Sequence, residues 1–231
     1  MKKLVLACAA LSALTTVASA ADLLIIDEPG AMAYTDAGFD WSGFYAGLTG
    51  GYGAGQSRAV GSVNGLTDLT NLSGGLLGGT VGVNSQFDSF VLGLEGDVVW
   101  SGLAGGTACN GAPALSCNGN VDWMGTVKGR AGYAVDQVLF FVSGGLAAGG
   151  IRATVTPAVG GTTGSHNFTS IGWTVGGGVE VAVTDNISVK AEYSYLDLGS
   201  GTAPVGTLGA VNSYAISTHV HAAKVGVNFH F

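Results

Sequence analysis

Charge is scarce in this chain: only 10% of its 231 residues are Asp, Glu, Lys or Arg. Basic residues are scarcest, eight Lys and Arg against fifteen Asp and Glu. That balance argues against nucleic acid as a partner. Long apolar runs are missing too. The longest strongly apolar stretch, 4–18, falls short of the roughly 20 residues that a membrane-spanning helix needs. It follows Lys2-Lys3 and precedes Ala18-Ser19-Ala20, the pattern of a secretory signal peptide with cleavage expected after Ala20. Taking Lys2 and Lys3 away reduces eight bases to six against fifteen acids, a net charge of −9. Cysteine is rare, and Cys8 lies within the signal. The two that remain, Cys109 and Cys117, lack metal-site CxxC spacing and are expected to form a small loop disulfide in an oxidising compartment. There is no Gly-x-Ser-x-Gly elbow, no His-Glu-x-x-His, and no carboxylate dyad standing apart from the basic residues. No enzyme, no catalytic residue and no metal site are therefore expected.

What the chain does have is glycine, 41 residues of it, and a positive mean hydropathy. An exported, apolar chain without a helical span has the profile of a transmembrane β-barrel. The alternation supports this most clearly at the C-terminus. Ala223, Val225, Val227, Phe229 and Phe231 are apolar, while Lys224, Gly226, Asn228 and His230 between them are polar or small. Period two over this length is a strand with one apolar and one wet face. Seven further alternating segments precede it, at about 41–53, 75–87, 90–100, 121–135, 138–151, 171–183 and 187–197. Short turns at Asp88-Ser89, Asp136-Gln137 and Thr184-Asp185-Asn186 alternate with linkers at 54–74, 101–120, 152–170 and 198–218, rich in Gly, Ser, Thr and Asn. This predicts an all-β fold, an eight-stranded antiparallel transmembrane β-barrel over 41–231. A non-barrel periplasmic segment is expected at 21–40, behind the signal peptide at 1–20. Short periplasmic turns, long outer loops and an even strand count place both termini in the periplasm and the barrel in the cell outer membrane.

Parity assigns the faces. The turns set Phe87 opposite Phe90, Val135 opposite Val138 and Val183 opposite Ile187, and the apolar positions of neighbouring strands then coincide, Val121 among them. Aromatic residues on that outward face fall into two rows. Near the turns lie Phe44, Phe87, Phe90, Tyr133, Phe140, Phe229 and Phe231. Near the long linkers lie Tyr52, Trp100, Trp123, Trp173, Tyr193 and Tyr195. About ten residues separate the rows, which is what a tilted strand needs to cross a bilayer. The inward set carries charge: Glu95, Asp97, Lys128, Arg130, Glu180, Lys190, Glu192 and Lys224. An eight-stranded barrel is nearly filled by its side chains, so these four acids and four bases are expected to cross-link the lumen, with Glu180 paired to Lys190. A narrow ion path along the same residues is the alternative. His219 and His221 share a strand face and are candidate ligands for a metal or haem at the cell surface, although solvated loop-edge histidines are commoner.

Several motifs carry a family resemblance: WSGFYAG at 41–47, VLGLEGD at 91–97, GTVKGRAGY at 125–133, GWTVGGGVE at 172–180 and KAEY at 190–193. Across 41–231 the chain resembles the small outer-membrane proteins of alphaproteobacteria, also described as opacity-like or OmpA-like barrels or as the porin family. The resemblance implies an eight-stranded barrel with an envelope-stabilising and surface-antigen role, and haemin binding in some members. It also implies that the assembly machinery recognises the last strand through the terminal Phe231. The expected partners are outer-membrane lipid, lipopolysaccharide and that machinery, with the chain monomeric or weakly oligomeric. A peptidoglycan-binding domain like that of full-length OmpA is not expected, because the chain stops at the last strand.

Overall fold

A computed structural model describes residues 38–61, 67–109, 112–157, 164–203 and 214–231. The expected signal peptide, and the 21–40 segment up to residue 37, lie outside these residues. Eight strands follow one another: β1 Gly43–Gly61, β2 Thr67–Phe87, β3 Phe90–Cys109, β4 Ala112–Val135, β5 Val138–Pro157, β6 Gly164–Thr184, β7 Ile187–Ala203 and β8 Tyr214–His230. Each pairs antiparallel with its neighbours in sequence, and β1 pairs with β8 to close the ring. Closure leaves no free sheet edge, so every strand finds backbone partners on both sides.

The strands are 17 to 24 residues long, well beyond the alternating cores read from the sequence. Most of each Gly/Ser/Thr/Asn-rich linker is strand rather than loop. Such composition usually marks loops, but inside a closed ring each added residue still gains ladder hydrogen bonds on both sides. The alternation therefore persists beyond the apolar band.

Two turns close as read, with Phe87 opposite Phe90 and Val135 opposite Val138. Asp88 and Asp136 begin them with φ of 53° and 52°, a region Asp tolerates better than most residues. The third turn differs. Thr184, not Val183, faces Ile187, and Val183 is extruded as a bulge beyond Ala182. The Thr184 hydroxyl explains this, because it accepts from the backbone N–H groups of Asn186 and Ile187 and draws the chain into a tighter turn. Beyond the bulge the expected register returns, with Val181 opposite Val189 and Glu180 opposite Lys190.

A second bulge corrects another assignment. Val121 does not face outward; it is 1% exposed and points into the lumen. Asp122 is the extra residue between Val121 and Trp123, and one inserted residue exchanges the two faces of all that follows. Trp41, read as the start of the first strand, lies just before β1, where Gly43 turns the chain with φ of +113°.

The exterior and interior are inverted relative to a water-soluble protein. Leu48 is 75% exposed and Phe44 68%, whereas Lys128 is 1% exposed and Glu180 0%. Ordinary soluble domains almost never bury Lys and Glu this way while displaying a continuous band of large apolar side chains.

Candidate functional site

The interior is built in layers. At the turn rim, residues 38–42 fold across the mouth. Phe39 N–H donates to the Asp136 carbonyl, and Trp41 N–H donates to Gln86 Oε1. Trp41 is wholly buried against Val91, Ala134, Leu139 and Ala182, with Phe39 beside it. The ring of His230, from the end of β8, stands edge-on to both aromatic rings.

Above this plug lies the charged layer. Its lower part centres on Glu180, which accepts from Arg130 Nη2 at 2.8 Å and from Ser188 Oγ and Asn228 Nδ2 at 2.6 Å each. His230 Nε2 shares a hydrogen bond with Ser188 Oγ. Its upper part centres on Glu95 and Lys128. Lys128 Nζ lies 2.6 Å from Glu192, 2.8 Å from Asp97 and 3.1 Å from Glu95. Glu95 also accepts from Lys190 at 2.7 Å and from the Tyr45 hydroxyl at 2.7 Å. Arg130 Nη1 donates to that same hydroxyl and its guanidinium stacks over Phe141. Lys224 approaches Asp97 and Glu192 at 3.7 and 3.8 Å. The carboxylates of Glu95, Asp97 and Glu192 converge closely enough to hold a cation. The Lys128 ammonium occupies the place where one would sit.

Glu180 and Lys190 are backbone partners but not an ion pair. Lys190 reaches across the lumen to Glu95, and Glu180 is taken by Arg130 from β4. In so narrow a ring a long inward side chain spans the bore as easily as it reaches the next strand, so ladder register does not select its partner. All eight charged residues are almost completely buried. This charged layer balances four acids with four bases, which is the condition under which buried charge is tolerable.

Toward the long-strand rim the lumen turns apolar. Leu72 and Leu76 of β2, Val99 and Leu103 of β3, Val121 and Met124 of β4, Ala147 and Ile151 of β5, Leu196 and Leu198 of β7, and Val220 and Ala222 of β8 form one buried cluster. Between this cluster and the charged layer lies a cavity of about 10 Å³, room for one water at most. Parity carried past the apolar band would have found most of these positions. Tyr45, Asn228 and Ser188 were missed for another reason: they are inward by parity but uncharged. Gly82 supports Tyr45 directly, because a Cβ there would strike the phenol ring.

The aromatic residues read as two rows all lie on the exterior; Tyr195 is half-buried and the rest are exposed. Phe231 is 76% exposed, and its N–H donates to the Phe44 carbonyl across the closing seam. His219 and His221 also face outward, where His221 Nδ1 lies 2.7 Å from the Tyr193 hydroxyl and both imidazoles flank the Tyr195 ring. Cys109 and Cys117 are disulfide-bonded across β3 and β4 near the long-strand rim.

Residues 6–231 match the family described as outer membrane protein beta-barrel domain. The chain is 32% identical over 249 residues to the 31 kDa outer-membrane immunogenic protein of Brucella melitensis biotype 1, with both proteins covered in full. It is 32% identical over 162 residues to the 22 kDa outer membrane protein of Rhizobium leguminosarum bv. viciae, covering 69% of this chain and 65% of that one. Among solved structures it is similar to the outer membrane protein OprG from Pseudomonas aeruginosa, at 14% identity and a TM-score of 0.49, covering 84% of this chain and 99% of the other.

Proposed function

The chain belongs to the outer-membrane β-barrel family and is a multi-pass barrel of the cell outer membrane; from that premise we propose that it is a closed, non-conducting barrel that stabilises the envelope and displays surface loops as an antigen. The turn rim then faces the periplasm and the long-strand rim the outside. One observation carries the closed reading. The charged layer is bounded by the apolar cluster on one side and by Trp41 with its neighbours on the other. An ion following the charges from either end would have to cross a layer lined mainly by apolar side chains, which cannot replace its hydration shell, a cost of several kcal/mol or more. The antigen role is supported by the immunogenic naming of the Brucella relative. Outer-leaflet lipid and lipopolysaccharide are the partners that fit the exposed apolar band. Recognition by the assembly machinery fits the exposed Phe231 at the end of β8, and a monomer suffices for a ring that closes on itself.

Planar-bilayer recording of the refolded chain tests the proposal. Membranes with the protein inserted should show no steady single-channel openings. Steady openings that disappear on changing Glu95 or Arg130 would replace this reading with a narrow pore. Haem capture through His219 and His221 has less in its favour, because His221 Nδ1 is already bonded to the Tyr193 hydroxyl and His219 lies against the Tyr195 ring. Haem titration of the protein with both histidines replaced would reveal any such binding by its loss.

A further inference from the structure

On the exterior of β4, β5 and β6 the bulge at Asp122 and the missing side chain of Gly150 leave a depression of about 270 Å³. Trp123 walls one side, its indole lying over Gly150, so that a Cβ at Gly150 would meet the indole nitrogen. Thr169 walls the other side, opposite Gly150 in register, with Phe168 at the floor. Directly above runs a polar row fixed by the same register: Asn120 opposite Arg152, and Arg152 opposite Asn167. Arg152 Nη2 donates to Asp122 Oδ2 at 3.0 Å, and both side chains remain about half exposed. Only one guanidinium nitrogen is used in that bond, so further donors of the fork point outward.

The height of the depression selects its occupant. Trp123 is the register partner of Trp100 in the outer aromatic row. Thr169 lies four residues beyond Trp173 on β6, ~13 Å along the strand. The depression thus begins at the interfacial girdle and extends into the headgroup zone of the outer leaflet. Its chemistry is an aromatic face beside bare backbone, a carboxylate and two amides able to meet hydroxyls, and a guanidinium suited to a phosphate. Arg58 and Arg152 are the described Lys and Arg residues outside the lumen, and both lie on the long-strand side with Asp68, Asp122 and Asp197; the turn rim carries Asp40, Asp88, Asp136 and Asp185 and, among the described residues, no Lys or Arg. Guanidinium donors for an anionic group are therefore present on this side of the membrane, whereas the turn rim offers it only carboxylates.

We propose that this depression binds the phosphorylated glucosamine headgroup of lipopolysaccharide, with the sugar against Trp123 and Gly150 and the phosphate on Arg152. The proposal rests on the outer-membrane topology given above. The test uses the full chain refolded in detergent, with binding followed by native mass spectrometry. The probes are bisphosphorylated lipid A, dephosphorylated lipid A and phosphatidylglycerol. Lipid A should bind best. Arg152→Ala should weaken bisphosphorylated lipid A about tenfold, the loss of one charge-assisted hydrogen bond, and leave the dephosphorylated form unchanged. Gly150→Val, which displaces the indole, should weaken both forms. Unchanged lipid A binding in both variants overturns the site, as does phosphatidylglycerol binding as tightly as lipid A. Heat-modifiable gel migration is recorded for every variant. A chain that never forms the fast-migrating barrel species counts against the topology, whereas an intact barrel that ignores lipid A counts against this site alone.

Discussion

Replacing Lys128 by methionine removes the cation on which three buried carboxylates converge. The ammonium lies 2.6, 2.8 and 3.1 Å from Glu192, Asp97 and Glu95, and the side chain is 1% exposed. Afterwards the four acids of this layer face three bases. Glu95 keeps Lys190 and Arg130, at 2.7 and 3.5 Å, but Asp97 and Glu192 are left with Lys224 at 3.7 and 3.8 Å and, for Glu192, Lys190 at 3.6 Å. Removing one partner of a buried ion pair costs about 3–5 kcal/mol. With a urea slope of about 2 kcal/mol/M, the unfolding midpoint should fall by roughly 1.5–2.5 M. The assay is urea unfolding of the protein in phospholipid vesicles, followed by loss of the fast-migrating gel species. Pairing the change with Glu192→Gln restores three acids to three bases and should recover about 1 kcal/mol or more. A single-mutant midpoint within about 0.3 M of wild type would refute the reasoning. So would a double mutant no more stable than Lys128→Met alone, because the charged layer would then not be an interlocked network.

Lys190 gives a sharper test of partnership: double-mutant cycles should show coupling of about 1–3 kcal/mol between Lys190→Met and Glu95→Gln, and clearly less between Lys190→Met and Glu180→Gln. Trp41→Ala should destabilise the barrel by about 3–5 kcal/mol through the cavity it leaves, yet planar-bilayer recordings should stay silent because the apolar layer above still seals the bore. Gly43→Ala forces an L side chain into φ of +113° and should cost about 1–3 kcal/mol, read from the same urea titration. Reducing the Cys109–Cys117 disulfide, whose ends are 8 residues apart, should remove at most about 2.5 kcal/mol and leave the heat-modifiable band in place.

Strand number, order and face could be read in the chain because a β-strand repeats every two residues and a one-residue slip inverts both faces. With turns as short as Asp88-Ser89 and Asp136-Gln137 the pairing has almost no freedom, and Phe87–Phe90 and Val135–Val138 follow from counting alone. The same arithmetic placed all eight charged residues on the lumen side. It failed where the period is broken locally. The bulges at Asp122 and Val183 are each one residue, with no compositional mark strong enough to locate them; the first exchanges the faces beyond it and the second shifts the pairing at its turn. Strand ends were misjudged because Gly, Ser, Thr and Asn signal loops only when no second strand is present to accept their backbone hydrogen bonds.

The identity of the ion-pair partners belongs to the tertiary structure. Sequence and register set Glu180 beside Lys190, but the width of the closed ring decides that Lys190 reaches Glu95 and Arg130 reaches Glu180. The same holds for the seal at the mouth, where Trp41, Phe39 and His230 meet only because β1 and β8 close on each other. Alternation along one strand is a local property and can be counted in the chain. Distances across a bore depend on the closure of all eight strands at once, and no single stretch of sequence contains them.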